Sequence, residues 1–96
     1  MDLLDVKNLN KKYVGKEVIY DNNKRAFICG LTSYSISLKT SDTGWSFEYE
    51  SYAVTSGHIR LADEALQEDF VREYKEYVNS ECGILEAFLY YSEKYD

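Results

Sequence analysis

Proline is absent from this chain, and histidine and cysteine are scarce. A chain without proline has no proline-rich linker, so we expect continuous regular elements. One histidine (His58) and two cysteines (Cys29 and Cys82) cannot supply the four closely spaced ligands of a structural zinc site. The residues therefore predict no metal and no cofactor.

Catalytic motifs are also missing. The five glycines are dispersed, and there is no Walker loop, no G-x-G-x-x-G and no H-E-x-x-H. A nucleophilic pair of His58 with Cys29 or Cys82 is conceivable, but no local signature surrounds these residues. Since the cysteines form no C-x-x-C pair, we predict that both are reduced thiols in the core. We predict that the protein is not an enzyme.

No apolar run approaches the roughly 18 residues that a membrane-spanning helix needs. The N-terminal stretch carries Asp2 and Asp5, where a secretory signal would have positive charge followed by an apolar segment. These features predict a cytoplasmic protein without membrane contact.

The chain has 96 residues, which predicts one domain spanning 1–96. Its hydrophobic content is 45%, too high for a disordered chain, and ten of the residues are tyrosine. Tyrosine packs its ring while keeping its hydroxyl in water, so a small domain rich in tyrosine is expected to have surfaces that bind other molecules.

The net charge of −6 is unevenly distributed. Residues 1–62 hold seven acids and eight bases, a net charge of +1, whereas residues 63–96 hold ten acids and three bases, a net charge of −7. Such asymmetry between halves is informative about binding partners.

The first half of the chain shows the alternation and turn residues of short strands. Residues 12–62 therefore predict either a small five-stranded barrel or a bent antiparallel sheet. The predicted strands cover residues 16–21, 25–31, 34–40, 45–54 and 58–62.

The segment "DTGWSFEYESY" (42–52) allows two interpretations of its start and two of its aromatic residues. Its first three residues match the catalytic tripeptide of aspartic proteases, but the polar residues before them and the bulky Trp45 after them favour a hairpin turn. Trp45, Phe47 and Tyr49 alternate with polar residues and could form a binding surface. A small barrel needs large rings to fill it, so we predict that they are buried.

At Asp63 the apolar period changes from that of a strand to that of a helix. Asp63 is a natural N-cap, and Leu66, Phe70 and Tyr74 begin one apolar stripe that stays in phase beyond Gly83. A continuous helix over residues 64–95 would be about 48 Å long, whereas a domain of this size is about 32 Å across. Either the helix breaks near Gly83, or its second half overhangs and forms a dimer or docking surface. That surface would comprise Ile84, Leu85, Phe88 and Leu89.

The helical segment also places a row of acids opposite its apolar stripe. One interpretation is an ordinary solvated face; the other is a surface that docks on a basic protein partner by electrostatic complementarity. The predicted partner-binding residues are Glu68, Asp69, Glu73, Glu76 and Glu86.

A second candidate surface is basic and lies near the N-terminus. Aromatic rings combined with positive charge are typical of proteins that bind single-stranded nucleic acid, although a pI near 4.7 is not. The candidate nucleic-acid-binding residues are Lys11, Lys12, Tyr13, Lys24 and Arg25.

The run "KKYVGKEVIYDNNKRAFICGLTSYSISLKTSDTG" resembles the opening of a small SH3-like barrel of the Tudor or KOW type. The resemblance covers roughly residues 12–62 and implies a barrel followed by the C-terminal helix. As a short acidic chain, the protein is also similar in style to accessory proteins of phages and mobile elements, some of which inhibit host defence nucleases by mimicking nucleic acid.

The features together predict a non-enzymatic protein that binds and modulates a protein partner. A phage or mobile-element inhibitor of a host nucleic-acid-handling enzyme would fit the acidic segment. The alternative is a small barrel that binds nucleic acid or a nucleotide through its basic edge.

Overall fold

The computed structural model describes residues 6–40 and 44–95. No helix in these ranges is both long and apolar enough to cross a bilayer. The elements in chain order are α1 (Val6–Tyr13), β1 (Glu17–Tyr20), β2 (Lys24–Leu31), β3 (Ser35–Lys39), β4 (Ser46–Glu50), α2 (Tyr52–Thr55), β5 (Arg60–Leu61), α3 (Glu64–Val78) and α4 (Glu81–Tyr95).

The five strands form one antiparallel sheet in the order β4-β3-β2-β1-β5, which confirms the predicted α+β class. Of the two predicted forms, the bent open sheet is the one present in the described residues. The ring of Tyr20 on β1 lies 5.3 Å from Phe47 and 5.9 Å from Tyr49 on β4. In a flat sheet, strands with two others between them would be about 14 Å apart, so the sheet curls strongly around its buried face.

The buried face of the sheet forms the core with three helices, α1, α2 and α3. Val18, Ala26 and Leu38 point to this face because side chains alternate along a strand, and all three are fully buried. Helix α1 joins them through Tyr13, whose ring centroid lies 4.8 Å from that of Phe70 on α3. Within residues 6–40 and 44–95, no helix covers the opposite face of the sheet, where Arg25, Lys39 and Glu48 are exposed.

Helix α3 begins where the sequence predicts. Asp63 is the N-cap, and its carboxylate accepts a hydrogen bond from the backbone of Ala65 at 3.1 Å. The apolar stripe buries Phe70, Tyr74 and Tyr77 against the sheet. The Tyr74 hydroxyl lies 2.5 Å from the carbonyl oxygen of Thr32, which fixes the helix to the β2–β3 connection.

The predicted interruption near Gly83 is present, three to four residues before the glycine. Helix α3 ends at Val78 and α4 begins at Glu81, so the two helices meet at Asn79 and Ser80. Gly83 lies inside α4, where an added Cβ atom would come within 2.1 Å of the carbonyl oxygen of Tyr77. The glycine is therefore required for the close approach of the two helices rather than for the turn itself.

One element and the ends of two strands differ from the sequence prediction, which places the last strand at 58–62 where β5 covers Arg60–Leu61. Helix α1 was not predicted, because its eight residues are largely polar and only Leu9 and Tyr13 are buried. The predicted strand 45–54 stops at Glu50, since the chain turns into α2 to bury Ala53 and Val54. Residues 42 and 43 of the predicted hairpin turn lie outside the described residues.

Two burial predictions are wrong. Trp45 is 72% exposed because it precedes β4, while Phe47 and Tyr49 are partly buried as expected. Cys29 and Cys82 are free thiols but are exposed rather than in the core. Cys29 lies on the outer face because it follows the core residue Ile28 in β2. The register shift between Ile28 and Gly30 returns Leu31 to the core.

Candidate interaction surfaces

Helix α4 exposes one apolar face, which we call the α4 patch: Ile84, Leu85, Phe88, Leu89 and Tyr91. The first four side chains are each more than half exposed, with Phe88 at 65%. Residues spaced by three and four positions lie on one side of a helix, so these side chains form a continuous surface. The four residues predicted for a dimer or docking surface are therefore together on one exposed face.

The opposite side of α4 contacts the body of the protein through small and polar residues. Gly83 is buried against α3. The Glu86 carboxylate accepts hydrogen bonds from the backbone N–H of Ser33 at 2.9 Å and from the Tyr77 hydroxyl at 2.7 Å. These contacts fix the rotation of α4 about its axis, and with that rotation the large apolar residues face outward.

An aromatic contact extends this attachment. The rings of Tyr34 and Tyr90 are stacked with centroids 3.9 Å apart and planes within 14°. Burial and then the nearby Glu86 carboxylate raise the pKa of Tyr34 above its usual value of 10. Both effects disfavour the charged form of the Tyr34 phenol, so this side chain stays neutral across the physiological pH range.

A hollow of about 330 Å³ lies between α4 and the β3–β4 hairpin. Tyr91 of the α4 patch borders it, together with Glu48 and Glu50 of β4. The one base in its lining is Lys94, whose Nζ atom lies 5.3 Å from the centroid of the Tyr90 ring and 3.1 Å from its hydroxyl oxygen. The hollow therefore lies between the α4 patch and the carboxylates of Glu48 and Glu50.

The predicted acidic row does not remain a row of free carboxylates. Glu68 and Glu76 are exposed on α3. Asp69 pairs with Arg72 at 3.0 Å. The remaining two acids, Glu73 and Glu86, accept hydrogen bonds from buried tyrosines.

Glu73 connects α3 to α1. It accepts a hydrogen bond from the Tyr13 hydroxyl at 2.6 Å and pairs with the Lys12 ammonium at 2.9 Å. Burial alone would raise the pKa of Glu73, but the hydrogen bonds from Tyr13 and Lys12 outweigh it and hold the pKa below its usual 4.5. Burial and this carboxylate raise the pKa of Tyr13. The Glu73 carboxylate therefore holds α1 against α3, rather than lying free on the surface.

The predicted basic surface is divided among elements. Lys11 and Lys12 lie on α1, and Tyr13 is fully buried, so its ring is not exposed for stacking on a base. Lys24 and Arg25 begin β2 instead. Lys24 lies 4.0 Å from Asp21, and Arg25 pairs with Glu17 at 3.2 Å.

A larger groove of about 730 Å³ lies beside Arg25. It runs between the β1–β2 turn and the loop at 56–58 that leads into β5. Its lining is polar and contains two arginines and the single histidine. The lining residues are Ile19, Asn22, Asn23, Arg25, Ser56, Gly57, His58 and Arg60.

Sequence reasoning missed this groove because its parts are distant along the chain. The sequence places Arg25 in the predicted basic surface near the N-terminus, whereas Arg60 belongs to none of the predicted sites. The antiparallel pairing of β1 with both β2 and β5 brings the two arginines to the same side of the sheet. A signal existed in the alternation of Arg60 with buried Ile59 and Leu61, which places Arg60 on the outer face.

Comparison with known proteins adds no further assignment: the chain matches no family model, no curated protein and no solved structure. The resemblance of residues 12–62 to small SH3-like barrels therefore stays a prediction.

Proposed function

We propose that this protein is a non-enzymatic interaction protein that binds a protein partner through the α4 patch. The observation that carries the proposal is the exposure of four large apolar side chains on one face of a helix that Gly83 and Glu86 hold in place. Together with Tyr91 they present on the order of 500 Å² of apolar surface, at the upper end of the largest patches on monomeric proteins. Such patches mark interaction sites.

The charges around the patch indicate what kind of partner fits. Glu81 precedes Leu85 by one helical turn, and Glu93 follows Leu89 by one turn, so both acids lie beside the patch. Glu48 and Glu50 approach it across the hollow that Tyr91 borders. These four acids outnumber Lys94, the one base in the lining of the hollow, and favour a partner surface that is apolar at its centre and basic at its rim.

The charges available for docking are fewer than the acidic row in the sequence predicts. Because Glu73 and Glu86 are engaged within the fold, an extended imitation of a nucleic-acid backbone along α3 and α4 has fewer free charges than the sequence predicts. A nucleic-acid-handling enzyme stays in the hypothesis as the partner, because such enzymes have basic surfaces. Origin from a phage or mobile element is part of the same hypothesis.

A defined pair of peptides tests the proposal. One is an amphipathic helical peptide of leucine and lysine, and the other has glutamate in place of lysine. We expect the wild-type protein to bind the lysine peptide and not the glutamate peptide. Phe88→Glu should weaken binding of the lysine peptide by about tenfold or more, because central apolar contacts contribute most of the binding energy.

The direction of the Phe88→Glu effect separates apolar from electrostatic binding. The substitution adds negative charge, so binding driven by charge alone would strengthen. Glu64→Gln, at the exposed start of α3 and outside the predicted acidic row, is the control and should change affinity less than about twofold.

Two results would contradict the proposal. Binding that survives Phe88→Glu would exclude the α4 patch as the docking surface. Light scattering that shows a dimer in the wild type and a monomer in Phe88→Glu would mean that a second copy of the chain, not a different protein, covers the patch.

A further inference from the structure

The groove beside β1 is lined by residues that have no role in the proposed function. It lies on the outer side of the sheet, and at about 730 Å³ it is within the range of small-molecule sites. Its base is Ile19, a partly buried residue at the centre of β1. Everything else that lines it is polar or glycine.

Two arginines flank the base of the groove through strand register. Ile19 pairs with Arg25 across β1 and β2, and with Arg60 across β1 and β5. Directly opposed residues in neighbouring strands have side chains on the same face, so both arginines extend from the outer side. Their Cα atoms are about 10 Å apart, since two strand spacings separate them. Two long side chains at that separation can converge on one tetrahedral anion.

The loops at either end add neutral hydrogen-bonding groups. Asn22 and Asn23 form the β1–β2 turn, where Asn22 has a left-handed backbone with φ of 76°. Ser56 and Gly57 contribute from the opposite loop. Amide and hydroxyl groups at the border can orient a polar ligand whose charge lies at the arginines.

Two carboxylates each contact one residue of the groove lining. Glu17 pairs with Arg25 at 3.2 Å, and both side chains are more than a third exposed. Asp21 lies 2.8 Å from the His58 ring nitrogen. Arg60 has no ion pair within residues 6–40 and 44–95. Exposed pairs of this kind are weak, so a doubly charged anion can displace Glu17 from Arg25.

We propose that this groove binds the phosphate group of a nucleotide or of a nucleic-acid strand, with Arg25 and Arg60 as the phosphate ligands. Guanidinium groups match phosphate oxygens in a bidentate geometry that lysine cannot reproduce. The volume accommodates the attached nucleoside, and the asparagine side chains lie where they can contact its polar edge. The proposal does not depend on the α4 patch, which is on a different element.

The test is an NMR amide titration of the full chain with adenosine 5′-monophosphate, adenosine and a short single-stranded oligothymidylate. We expect the monophosphate to shift the amides of Asn22, Asn23 and Gly57, and adenosine to leave them unchanged. Arg60→Gln should weaken binding of the monophosphate by about tenfold or more, and Arg60→Lys should restore it only in part. Lys39→Gln removes the same charge at an exposed residue at the end of β3, and should have less than about a twofold effect.

The oligothymidylate identifies the source of the phosphate. Tighter binding than the monophosphate, with an affinity that falls steeply with salt, would assign a nucleic-acid strand as the ligand. Weaker binding than the monophosphate would assign a free nucleotide. Equal shifts with adenosine and its monophosphate, or an affinity unchanged by Arg60→Gln, would overturn the proposal.

Discussion

Helices α3 and α4 are both 15 residues long, and only Asn79 and Ser80 separate them. Their apolar stripes share one phase, but the stripe of α3 is buried whereas that of α4 is exposed. In α3, Phe70 is fully buried against the sheet. In α4, Phe88 is 65% exposed. Apolar periodicity therefore identifies the stripe on each helix without determining whether the molecule covers it.

The difference arises from the residues opposite each stripe. The outer side of α3 is charged, so only its stripe can enter the core. The inner side of α4 offers Gly83 for a close backbone approach and Glu86 as an acceptor for Ser33 and Tyr77. These specific contacts attach α4 without using its large apolar residues, which leaves those residues for a partner.

The largest expected effect comes from truncating the same residue type in each helix. Phe70→Ala should lower the free energy of unfolding by about 3–5 kcal/mol, because it removes a buried ring and leaves a cavity. Phe88→Ala should change it by less than about 0.5 kcal/mol, since the ring is mostly in water. Urea denaturation of both variants measures the contrast. Equal losses would mean that the α4 patch is covered within the protein itself.

Much of α3 could be predicted from the sequence because its signals are local. The Asp63 cap, the change of period at that residue and the stripe through Phe70 and Tyr74 all lie within one segment. The attachment of α4 could not be predicted, because its main acceptor contact joins Glu86 to Ser33, 53 residues earlier. No pattern along α4 reveals that partner.

The candidate sites also differ in whether their residues are close together or distant along the chain. The α4 patch was predictable, since its members are spaced on one helix. The groove of Arg25 and Arg60 was not, because strand order alone brings them together. For Glu73 the local pattern is misleading. Its position in an acidic row predicts a free surface charge, whereas its carboxylate accepts a hydrogen bond from Tyr13 on α1.

A single methyl group at Gly83 tests why α4 adopts its orientation. In most helix interiors a change from glycine to alanine raises stability by about 1 kcal/mol. Here the added Cβ would lie 2.1 Å from the Tyr77 carbonyl oxygen and 3.0 Å from that of Val78, both backbone atoms. We therefore expect Gly83→Ala to lower the free energy of unfolding by about 1–3 kcal/mol.

The same variant should also displace α4 from the sheet. Loss of cross-peaks between the Tyr34 and Tyr90 rings in an NMR spectrum would report that displacement. Ser92→Ala, on the exposed side of the same helix, is the control and should keep both the cross-peaks and the stability. A stabilised Gly83→Ala variant would show that the close approach to α3 does not set the orientation of α4.

The smallest expected effect concerns Glu73 on α3, which, like Glu86 on α4, accepts a hydrogen bond from a buried tyrosine. Hydrogen bonds from Tyr13 and Lys12 hold the pKa of Glu73 below its usual 4.5, so the folded state favours its charged form. A lowered pKa stabilises the fold above the pKa of the unfolded chain, and this stabilisation is lost as the pH falls through the folded value. The free energy of unfolding of the wild type should therefore exceed that of Glu73→Gln at pH 7 by about 0.5–1 kcal/mol, and the gap should narrow on acidification.

Urea denaturation at pH 7 and near pH 3 measures the gap, with Glu76→Gln on the exposed face of α3 as the control. A gap that is the same at both pH values would show that the Glu73 carboxylate does not connect α1 to α3, and that only α4 is attached through an acid.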